Sequence, residues 1–227
     1  MNVNNVNSAW ILLCLSILLG GCAGAVVEFD SNAFPTPLVE VTNIDVGLVL
    51  DEELTSYVHV EEIDMYGGWE VPLGLVQPLL FKNVLGAMFL SVTEVESATE
   101  VHPELDAVLV PAILGFQMSI PSQTNSNLYE VWIKYRLLLY DNKGELIVEW
   151  EFPAYGRANK EDYGMLTDTD EPALEDATMT ALRDAAAEIS LKLRNQPELQ
   201  AWLAARAAPA PVVSTDPDVD DEEAESW

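Results

Sequence analysis

Cysteine is almost absent from this chain. Cys14 and Cys22 are its only cysteines, and both lie near the N-terminus. The remainder of the chain therefore cannot contain an internal disulfide, a thiol nucleophile or a cysteine metal site. Whatever cysteine does in this protein, it does in the N-terminal segment.

Basic residues are also scarce. Lys and Arg number 10 against 38 Asp and Glu, which gives a formal net charge of -28. A protein this anionic repels nucleic acid and anionic lipid headgroups, so nucleic-acid binding is disfavoured. Two interpretations of the charge remain, which are solubility and attraction of a basic partner. The acidic residues are spread along the whole chain, and this spread favours solubility.

Motifs for catalysis and metal binding are missing. The two histidines, His59 and His102, lie in different segments and belong to neither an HExxH nor a Cys/His pattern. The sequence contains no GxSxG, P-loop or GxGxxG motif. Each of these motifs supplies a specific chemistry, such as a zinc ligand set, a nucleophile or a phosphate cradle. The sequence therefore predicts a protein without catalytic activity, without a metal and without a bound cofactor.

One apolar run stands near the N-terminus. From Ala9 to Leu19 the chain is apolar apart from Cys14 and Ser16. This length matches the hydrophobic region of a signal peptide and is too short to cross a hydrocarbon core of about 30 Å. The run ends in the tetrapeptide Leu19-Gly20-Gly21-Cys22, in which two small residues precede the cysteine.

The Leu19–Cys22 stretch resembles the bacterial lipobox. The resemblance implies that the Cys22 sulfur carries a diacylglyceryl group, that the signal is cut before Cys22 and that the new amino group receives a further acyl chain. Ala23, in place of an aspartate after the cysteine, implies the outer membrane of a Gram-negative bacterium, with the domain facing the periplasm. The alternative is an ordinary secretory signal with an incidental cysteine, since residues 1–8 contain no Lys or Arg.

Composition divides the chain into four parts. Hydrophobic residues make up 49% of the sequence, which is enough for a folded core. The predicted parts are a lipoprotein signal peptide (1–21), a tether (22–43), a single domain (44–206) and a disordered tail (207–227). The tail is rich in Pro and then in Asp and Glu, a composition that cannot build a core.

The domain alternates between strand-like and helix-like patterns. Its most apolar segment, residues 73–89, has helical spacing and tolerates Pro78 near its first turn. Pro111 and Gly115 interrupt a long strand and predict an edge position or a bulge there. A second long helix starts at Asp170 or Glu171. The other predicted segments are strands 44–50, 56–62, 90–97 and 105–121, a turn at 51–54, a loop at 66–69 and a short helix at 197–203.

The clearest local prediction is a β-hairpin over residues 128–152 that turns at Asp141-Asn142-Lys143-Gly144. Alternate residues on each strand are apolar and share one face. We expect Arg136 to lie opposite Glu149, Lys134 opposite Glu151, and Tyr135 opposite Trp150. A bulged turn would change this local pairing and keep the two faces.

This order of elements predicts an α+β fold, with a mostly antiparallel sheet of four to five strands and two main helices packed on one face. Together with the lipobox, the β-α-β-β-β-α order over residues 44–195 resembles a broad class of small outer-membrane lipoproteins. That class includes the YajG-like lipoproteins, the lipopolysaccharide-assembly lipoprotein and auxiliary lipoproteins of lipid-transport systems.

The resemblance implies a non-catalytic lipoprotein that scaffolds or assists a cell-envelope assembly or transport complex through protein contacts. The expected contact is the exposed sheet face around Trp132, Lys134 and Arg136, or the acidic tail. The alternative is a carrier in which the apolar helix 73–89 lines a pocket for an acyl chain or another ligand. A scaffold should have a closed core and a stable protein partner, whereas a carrier should have a continuous apolar cavity.

Overall fold

The computed structural model describes residues 25–29, 34–64, 67–163 and 170–207. The signal peptide, Cys22 and the acidic tail from residue 208 lie outside these ranges, as does Tyr66. Within them the α-helices are α1 Glu52–Thr55, α2 Gln77–Met88, α3 Pro121–Thr124, α4 Asp170–Lys192 and α5 Pro197–Ala207. The strands are β1 Ala25–Val26, β2 Thr42–Val49, β3 His59–Ile63, β4 Gly67–Val71, β5 Phe89–Val95, β6 Ala107–Ser119, β7 Leu128–Asp141 and β8 Leu146–Asn159.

The main sheet has five strands in the order β5-β2-β6-β7-β8. Strands β6, β7 and β8 are long and antiparallel, whereas β2 pairs in parallel with both β5 and β6. The predicted α+β class and five-stranded sheet are confirmed, and most of the paired length is antiparallel. A second sheet of three short strands, in the order β1-β4-β3, is a feature that the sequence did not predict.

Helices α2 and α4 pack on the same side of the main sheet, as predicted. Phe81 of α2 meets Tyr135 of β7 edge-on, with ring centroids 6.0 Å apart. Helix α4 approaches β8 so closely that a Cβ atom on Gly156 would lie 2.0 Å from the Ala177 carbonyl oxygen. A glycine at this position therefore sets how near the helix lies to the sheet.

The core lies between this side of the sheet and the two helices. Because side chains alternate along a strand, every second residue of β7 points into it. The buried residues of β7 are Tyr129, Val131, Ile133, Tyr135, Leu137 and Leu139. The predicted apolar stripe of α4 is buried against them, and it consists of Leu174, Ala177, Ala181, Leu182, Ala185 and Ile189, with Leu193 just beyond the helix.

The β7–β8 hairpin has the predicted faces and a different register. Tyr135 lies opposite Phe152 and Arg136 opposite Glu151, so the pairing is shifted by two residues from the prediction. One residue enters at the turn, where Gly144 has a φ of 83° and the Asp141 amide donates to the Glu145 carbonyl. A second enters at the irregularity beside Leu139. Two insertions restore the side-chain alternation, so the faces are unchanged.

The apolar segment 73–89 is not one helix. Leu73–Leu75 forms a 3-10 turn, and α2 begins only at Gln77, with Pro78 in its first turn. Gly74 packs against the chain around Thr55, where a Cβ atom would lie 2.3 Å from the Thr55 carbonyl oxygen. This close contact fixes the position of the 3-10 turn against the chain around Thr55.

Two segments assigned to turns and loops in the sequence form regular structure. The predicted turn at 51–54 is the one-turn helix α1, which the Asp51 carboxylate caps by accepting from the Leu54 amide. The predicted loop at 66–69 overlaps β4, which pairs with β3. Two glycines at the start of β4, Gly67 and Gly68, mask its strand character in the sequence.

The interruptions in β6 were predicted to mark an edge position or a bulge. Strand β6 lies between β2 and β7, so it is not an edge strand, and the bulge is the alternative that the structure shows. Pairing with β2 has ended at Leu109, so Pro111, which has no N–H to donate, lies where that side of the strand is free. The pairing with β7 shifts between Ile113 and Gly115, which is a bulge.

The predicted tether, residues 22–43, touches the domain near its start. Ala25 and Val26 form β1, which runs parallel to β4, and the Val27 amide donates to the Glu70 carbonyl at 3.0 Å. Val27 is buried, and Phe29 and Phe34 pack against the core. Residues 25–29 therefore belong to the folded unit.

Candidate partner-binding face

The side of β6, β7 and β8 that faces away from α2 and α4 carries the residues predicted to contact a partner. We call this side the outer face. The alternation of β7 places Trp132, Lys134 and Arg136 on it together. Glu130 of β7 lies on the same face. Register adds their neighbours on β6 and β8, which are Gln117, Glu151, Tyr155 and Arg157.

Two aromatic rings lie at one end of the outer face. Trp132 is 38% exposed, and its ring lies 5.2 Å from that of Tyr155. The Tyr155 hydroxyl donates a hydrogen bond of 2.6 Å to Glu130, and this bond raises the pKa of Tyr155 above its ordinary value. The phenol therefore stays neutral and fixed. The pair offers a rigid, amphipathic surface of the kind enriched in protein interfaces.

A concave trough of about 690 Å³ lies beside these rings. We call it the outer trough. It lies next to the β6 bulge, where a Cβ atom on Gly115 would have no atom within 4 Å. The missing side chain at Gly115 leaves this space open. Its outward-pointing lining consists of Gly115, Gln117, Trp132, Lys134, Glu151 and Pro153.

The outer face is electrically balanced in a strongly acidic chain. Its cations are Lys134, Arg136 and Arg157, and its carboxylates are Glu130, Glu149 and Glu151. Formal charges therefore cancel here, whereas the whole chain carries -28. Another surface can approach a neutral face with less electrostatic repulsion than the net charge of the whole chain implies.

Two arginines of the outer face have no acidic partner. All ten basic side chains of the sequence lie in the described ranges, and Arg136, Arg157 and Lys143 form no ion pair with the residues described there. The Nε atom of Arg136 is buried and makes no hydrogen bond within the protein. Six other basic side chains form ion pairs with carboxylates, and these are Lys82, Lys134, Lys160, Lys192, Arg194 and Arg206.

Lys134 differs from these arginines, because its amine lies 2.5 Å from the Glu151 carboxylate. Both side chains are about half exposed, and ion pairs of this kind contribute little to stability. The sequence predicted these two residues to lie directly opposite each other, whereas the observed register places them diagonally. Their side chains are long enough to meet across the diagonal.

Three residues of the outer face were missed in the sequence. The hairpin was expected to end at Phe152, so Tyr155 and Arg157 were not included in the predicted contact face. Tyr155 and Arg157 lie an even number of positions after Glu151, and this spacing is the signal that could have placed them on the same face of the strand. Nothing in the sequence distinguishes Gly115 as the residue that opens the trough.

A second concave region lies where β2 begins and α5 ends. It has a volume of about 700 Å³ and is lined by Val41, Thr42, Leu203, Arg194 and Arg206, among others. Its two arginines are engaged, because Arg194 pairs with Glu40 at 2.9 Å and Arg206 pairs with Asp106. Arg206 also stacks on the Trp202 ring at 4.8 Å. These pairings leave the region no free cation to recruit a ligand.

Helix α2, which was expected to line an acyl-chain pocket in the carrier alternative, packs its apolar side into the core. Leu80, Phe81, Val84, Leu85 and Met88 of α2 are buried. At the start of the helix, the buried Gln77 accepts a hydrogen bond of 3.1 Å from the Tyr135 hydroxyl. Burial raises the pKa of Tyr135, so this hydroxyl remains a donor. The apolar side of α2 thus has no room for an acyl chain unless the core opens.

The remaining candidate groups are dispersed. A ring nitrogen of His59 lies 3.2 Å from the Glu61 carboxylate. In a different segment, a ring nitrogen of His102 lies 2.8 Å from the Ser97 carbonyl oxygen. In the part of the chain that the structure describes, no three His, Cys, Asp or Glu side chains are grouped closely enough to hold a metal ion. None of the described helices is both long enough and apolar enough to cross a membrane.

Comparison with known proteins gives likenesses in structure alone. No protein-family model matches the chain, and no curated protein matches it. A predicted lipoprotein from Caulobacter crescentus CB15 overlaps with a TM-score of 0.39 at 17% identity, covering 60% of this chain and 86% of its own. A hypothetical protein from Chlamydia trachomatis overlaps with a TM-score of 0.39 at 13% identity, covering 67% and 99%.

A third neighbour is a predicted homologue of a neuraminyllactose-binding hemagglutinin from Helicobacter pylori. It overlaps with a TM-score of 0.44 at 14% identity, covering 77% of this chain and 98% of its own. All three TM-scores lie below 0.5, so the overlaps concern part of the fold and carry no information about function.

Proposed function

We propose that this protein is a bacterial lipoprotein held at the outer membrane through Cys22, and that its domain is a non-catalytic scaffold for a cell-envelope complex. The partner binds the outer face of the main sheet. The lipobox in the sequence supports the anchor, since Leu19, Gly20 and Gly21 precede Cys22. The exposure of Trp132 and Lys134 on the outer face supports the scaffold.

The observation that carries the scaffold proposal is the pair of arginines without acidic partners beside an exposed tryptophan. The chain contains 38 acidic residues and 10 basic ones, so carboxylates greatly outnumber basic side chains. Arg136 and Arg157 nevertheless remain without an ion pair on a face that also presents Trp132. Arginine and tryptophan are the residues most often found at the energetic centres of protein interfaces.

The chemistry of the face favours a protein partner over other ligands. The net charge of -28 on the whole chain disfavours nucleic acid and anionic lipid as partners. The outer trough is open at the surface, and its lining mixes apolar side chains with an ion pair, which suits an inserted side chain of a partner. Acidic groups on that partner would satisfy the two arginines by charge-assisted hydrogen bonds.

The scaffold proposal is tested by co-purification after cross-linking in cells, with variants on the outer face. Trp132→Ala removes the exposed ring, and Arg157→Glu reverses an exposed charge. The matched control is Lys192→Glu, which reverses a charge on α4, on the other side of the sheet. Each variant is first compared with the parent protein by thermal unfolding, so that loss of fold is not mistaken for loss of contact.

The expected result is a specific cross-linked partner in the parent and in Lys192→Glu. Recovery of that partner should fall at least about tenfold in Trp132→Ala, the loss typical of one central interface residue. Equal recovery from all variants would contradict the assignment of the outer face. A parent protein that yields no stable partner under the same conditions would contradict the scaffold itself.

The anchor is tested by mass spectrometry of the N-terminal peptide from membrane-extracted protein. We expect a chain that starts at Cys22 and carries a diacylglyceryl group and an amide-linked acyl chain. Two or three chains, at about 0.8 kcal/mol per buried CH₂, hold a protein on the membrane stably. Cys22→Ser should release the domain into the soluble fraction. A mature protein that still begins at Met1 would contradict the lipoprotein proposal.

A further inference from the structure

The distance between the lipobox cysteine and the folded domain is very short. Ala25 is already paired with Trp69 of β4, and Val27 is buried. Only Ala23 and Gly24 separate Ala25 from Cys22. Three virtual Cα–Cα bonds of 3.8 Å span at most about 11 Å, so the attachment point lies within that distance of β1.

The direction of β1 shows from which end the chain enters the small sheet. Because β1 is parallel to β4, the N-terminal end of β1, at Ala25, points to the end of the sheet where β4 begins. Gly67, at the start of β4, pairs with Ile63 at the end of β3. The chain therefore enters the small sheet from the hairpin end of β3 and β4.

The exposed side of the small sheet has a mixed surface. Val26, Glu70 and Val60 form one row across its three strands, and the two valines are 49% and 65% exposed. Glu62 lies on the same side, beside Gly68. Apolar side chains can enter the headgroup region of a bilayer, whereas the carboxylates disfavour an anionic lipid surface.

We infer that the small sheet is held against the lipid headgroups of the anchoring membrane, with the β3–β4 hairpin end towards the bilayer. This inference rests on the proposed lipid anchor at Cys22. A long tether would let the domain swing freely, whereas a two-residue link forces one end of it into the interfacial region. The membrane is thus a second contact surface of the domain, and it fixes how the outer face is presented to a partner.

The inference is tested by energy transfer between a fluorophore on the small sheet and acceptors on lipid headgroups. Glu62→Cys introduces a labelling site on the exposed side, and it is the only free thiol of the mature protein once Cys22 is acylated. The lipidated protein is reconstituted into phosphatidylethanolamine–phosphatidylcholine vesicles that carry a headgroup-bound acceptor.

Two insertions of the same Gly-Ser segment provide the comparison. Placed between Gly24 and Ala25, a segment of about 20 residues adds a root-mean-square reach of roughly 25 Å. Placed after Ala207, the same segment leaves the tether unchanged and serves as the control. Mass spectrometry of the N-terminal peptide verifies acylation of each sample.

We expect strong transfer from position 62 in the parent and in the control, and a drop of at least about twofold when the insertion lengthens the tether. Equal transfer from the acylated protein with either insertion would overturn the inference and leave the lipid anchor standing. Absence of acylation at Cys22 in the parent would overturn the anchor, and with it the reason for the membrane contact.

Discussion

The two faces of β7 differ sharply in exposure and in the chemistry of their side chains. On the inner face the exposed fraction is at most 1% for every residue from Tyr129 to Leu139. On the outer face Trp132 is 38% exposed, and Arg136 has no acidic partner. The two sets of side chains alternate along one strand, so the backbone is common to both.

This contrast separates the side chains that stabilise the fold from the side chains that the fold exposes to a partner. The inner face buries apolar area against α2 and α4, which is the main favourable term in folding. On the outer face Trp132 and Lys134 stay exposed, and Arg136 and Arg157 form no ion pair with the residues that the structure describes. Substitutions on the inner face should therefore change stability, whereas those on the outer face should change recognition.

The largest effect on stability is expected at Gly156, on the inner face of β8. A Cβ atom there would lie 2.0 Å from a backbone oxygen of α4, which cannot move aside without shifting the helix. Gly156→Ala should lower the free energy of unfolding by about 3 kcal/mol or more, at the upper end of overpacking costs. Chemical denaturation measures this change.

The matched control for this variant is Gly115→Ala, in the outer trough. A Cβ atom there meets open space, so the free energy of unfolding should change by no more than about 0.5 kcal/mol. Similar losses of stability from both glycine variants would contradict the distinction between the two faces.

The next largest effect concerns the buried hydrogen bond between Tyr135 and Gln77. Tyr135→Phe leaves the Gln77 carbonyl oxygen buried without its donor and should cost about 1–3 kcal/mol. The double variant Tyr135→Phe, Gln77→Leu removes both polar partners, and also the Gln77 amide nitrogen that has no partner. It should recover most of the loss. Thermal unfolding of the two variants tests this recovery of stability. A double variant that is less stable than Tyr135→Phe would contradict the prediction.

The same tyrosine should make stability depend on pH in the alkaline range. Burial raises the pKa of Tyr135 above its ordinary value of 10.0. Above pH 10 the unfolded chain loses this proton while the folded chain keeps it, so the free energy of unfolding falls as pH rises. The decrease due to this group approaches about 1.4 kcal/mol per pH unit.

Subtracting the profile of Tyr135→Phe isolates this contribution from the other tyrosines. Urea denaturation at several pH values between 9 and 11 provides both profiles. Parallel profiles for the two proteins would show that Tyr135 does not titrate as a buried group.

The smallest effect is expected on the outer face itself. Lys134→Ala removes the exposed ion pair with Glu151 and should change stability by less than about 1 kcal/mol. The change should shrink further in high salt, since exposed charges are screened. A loss of several kcal/mol in urea titrations would show that the outer face contributes to the fold.

The sequence predicted the parts of this molecule that depend on local periodicity. The alternation along residues 128–141 identified both faces of β7, and the apolar spacing after Asp170 identified the buried side of α4. The hairpin register was missed because it depends on two single-residue insertions, one at the turn and one near Leu139. Insertions of this kind change the pairing and leave the pattern of apolar residues intact.

Other features depend on contacts between distant segments, which periodicity does not encode. Strand β4 exists because β1 and β3 pair with it, although Gly67 and Gly68 have low strand propensity. The lack of acidic partners at Arg136 and Arg157 depends on where every carboxylate of the chain lies. The sequence could therefore nominate Trp132, Lys134 and Arg136, but it could not show that the arginines remain available.

Photo-cross-linking in living cells from position 117, which lies opposite Trp132 on the outer face, tests that face most directly and leaves Trp132 in place. A photoreactive amino acid in place of Gln117 is compared with one in place of Leu191, which is 64% exposed on α4 on the other side of the sheet. We expect a discrete cross-linked protein from position 117 and none from position 191. The same product from both positions, or from position 191 alone, would contradict the assignment of the outer face.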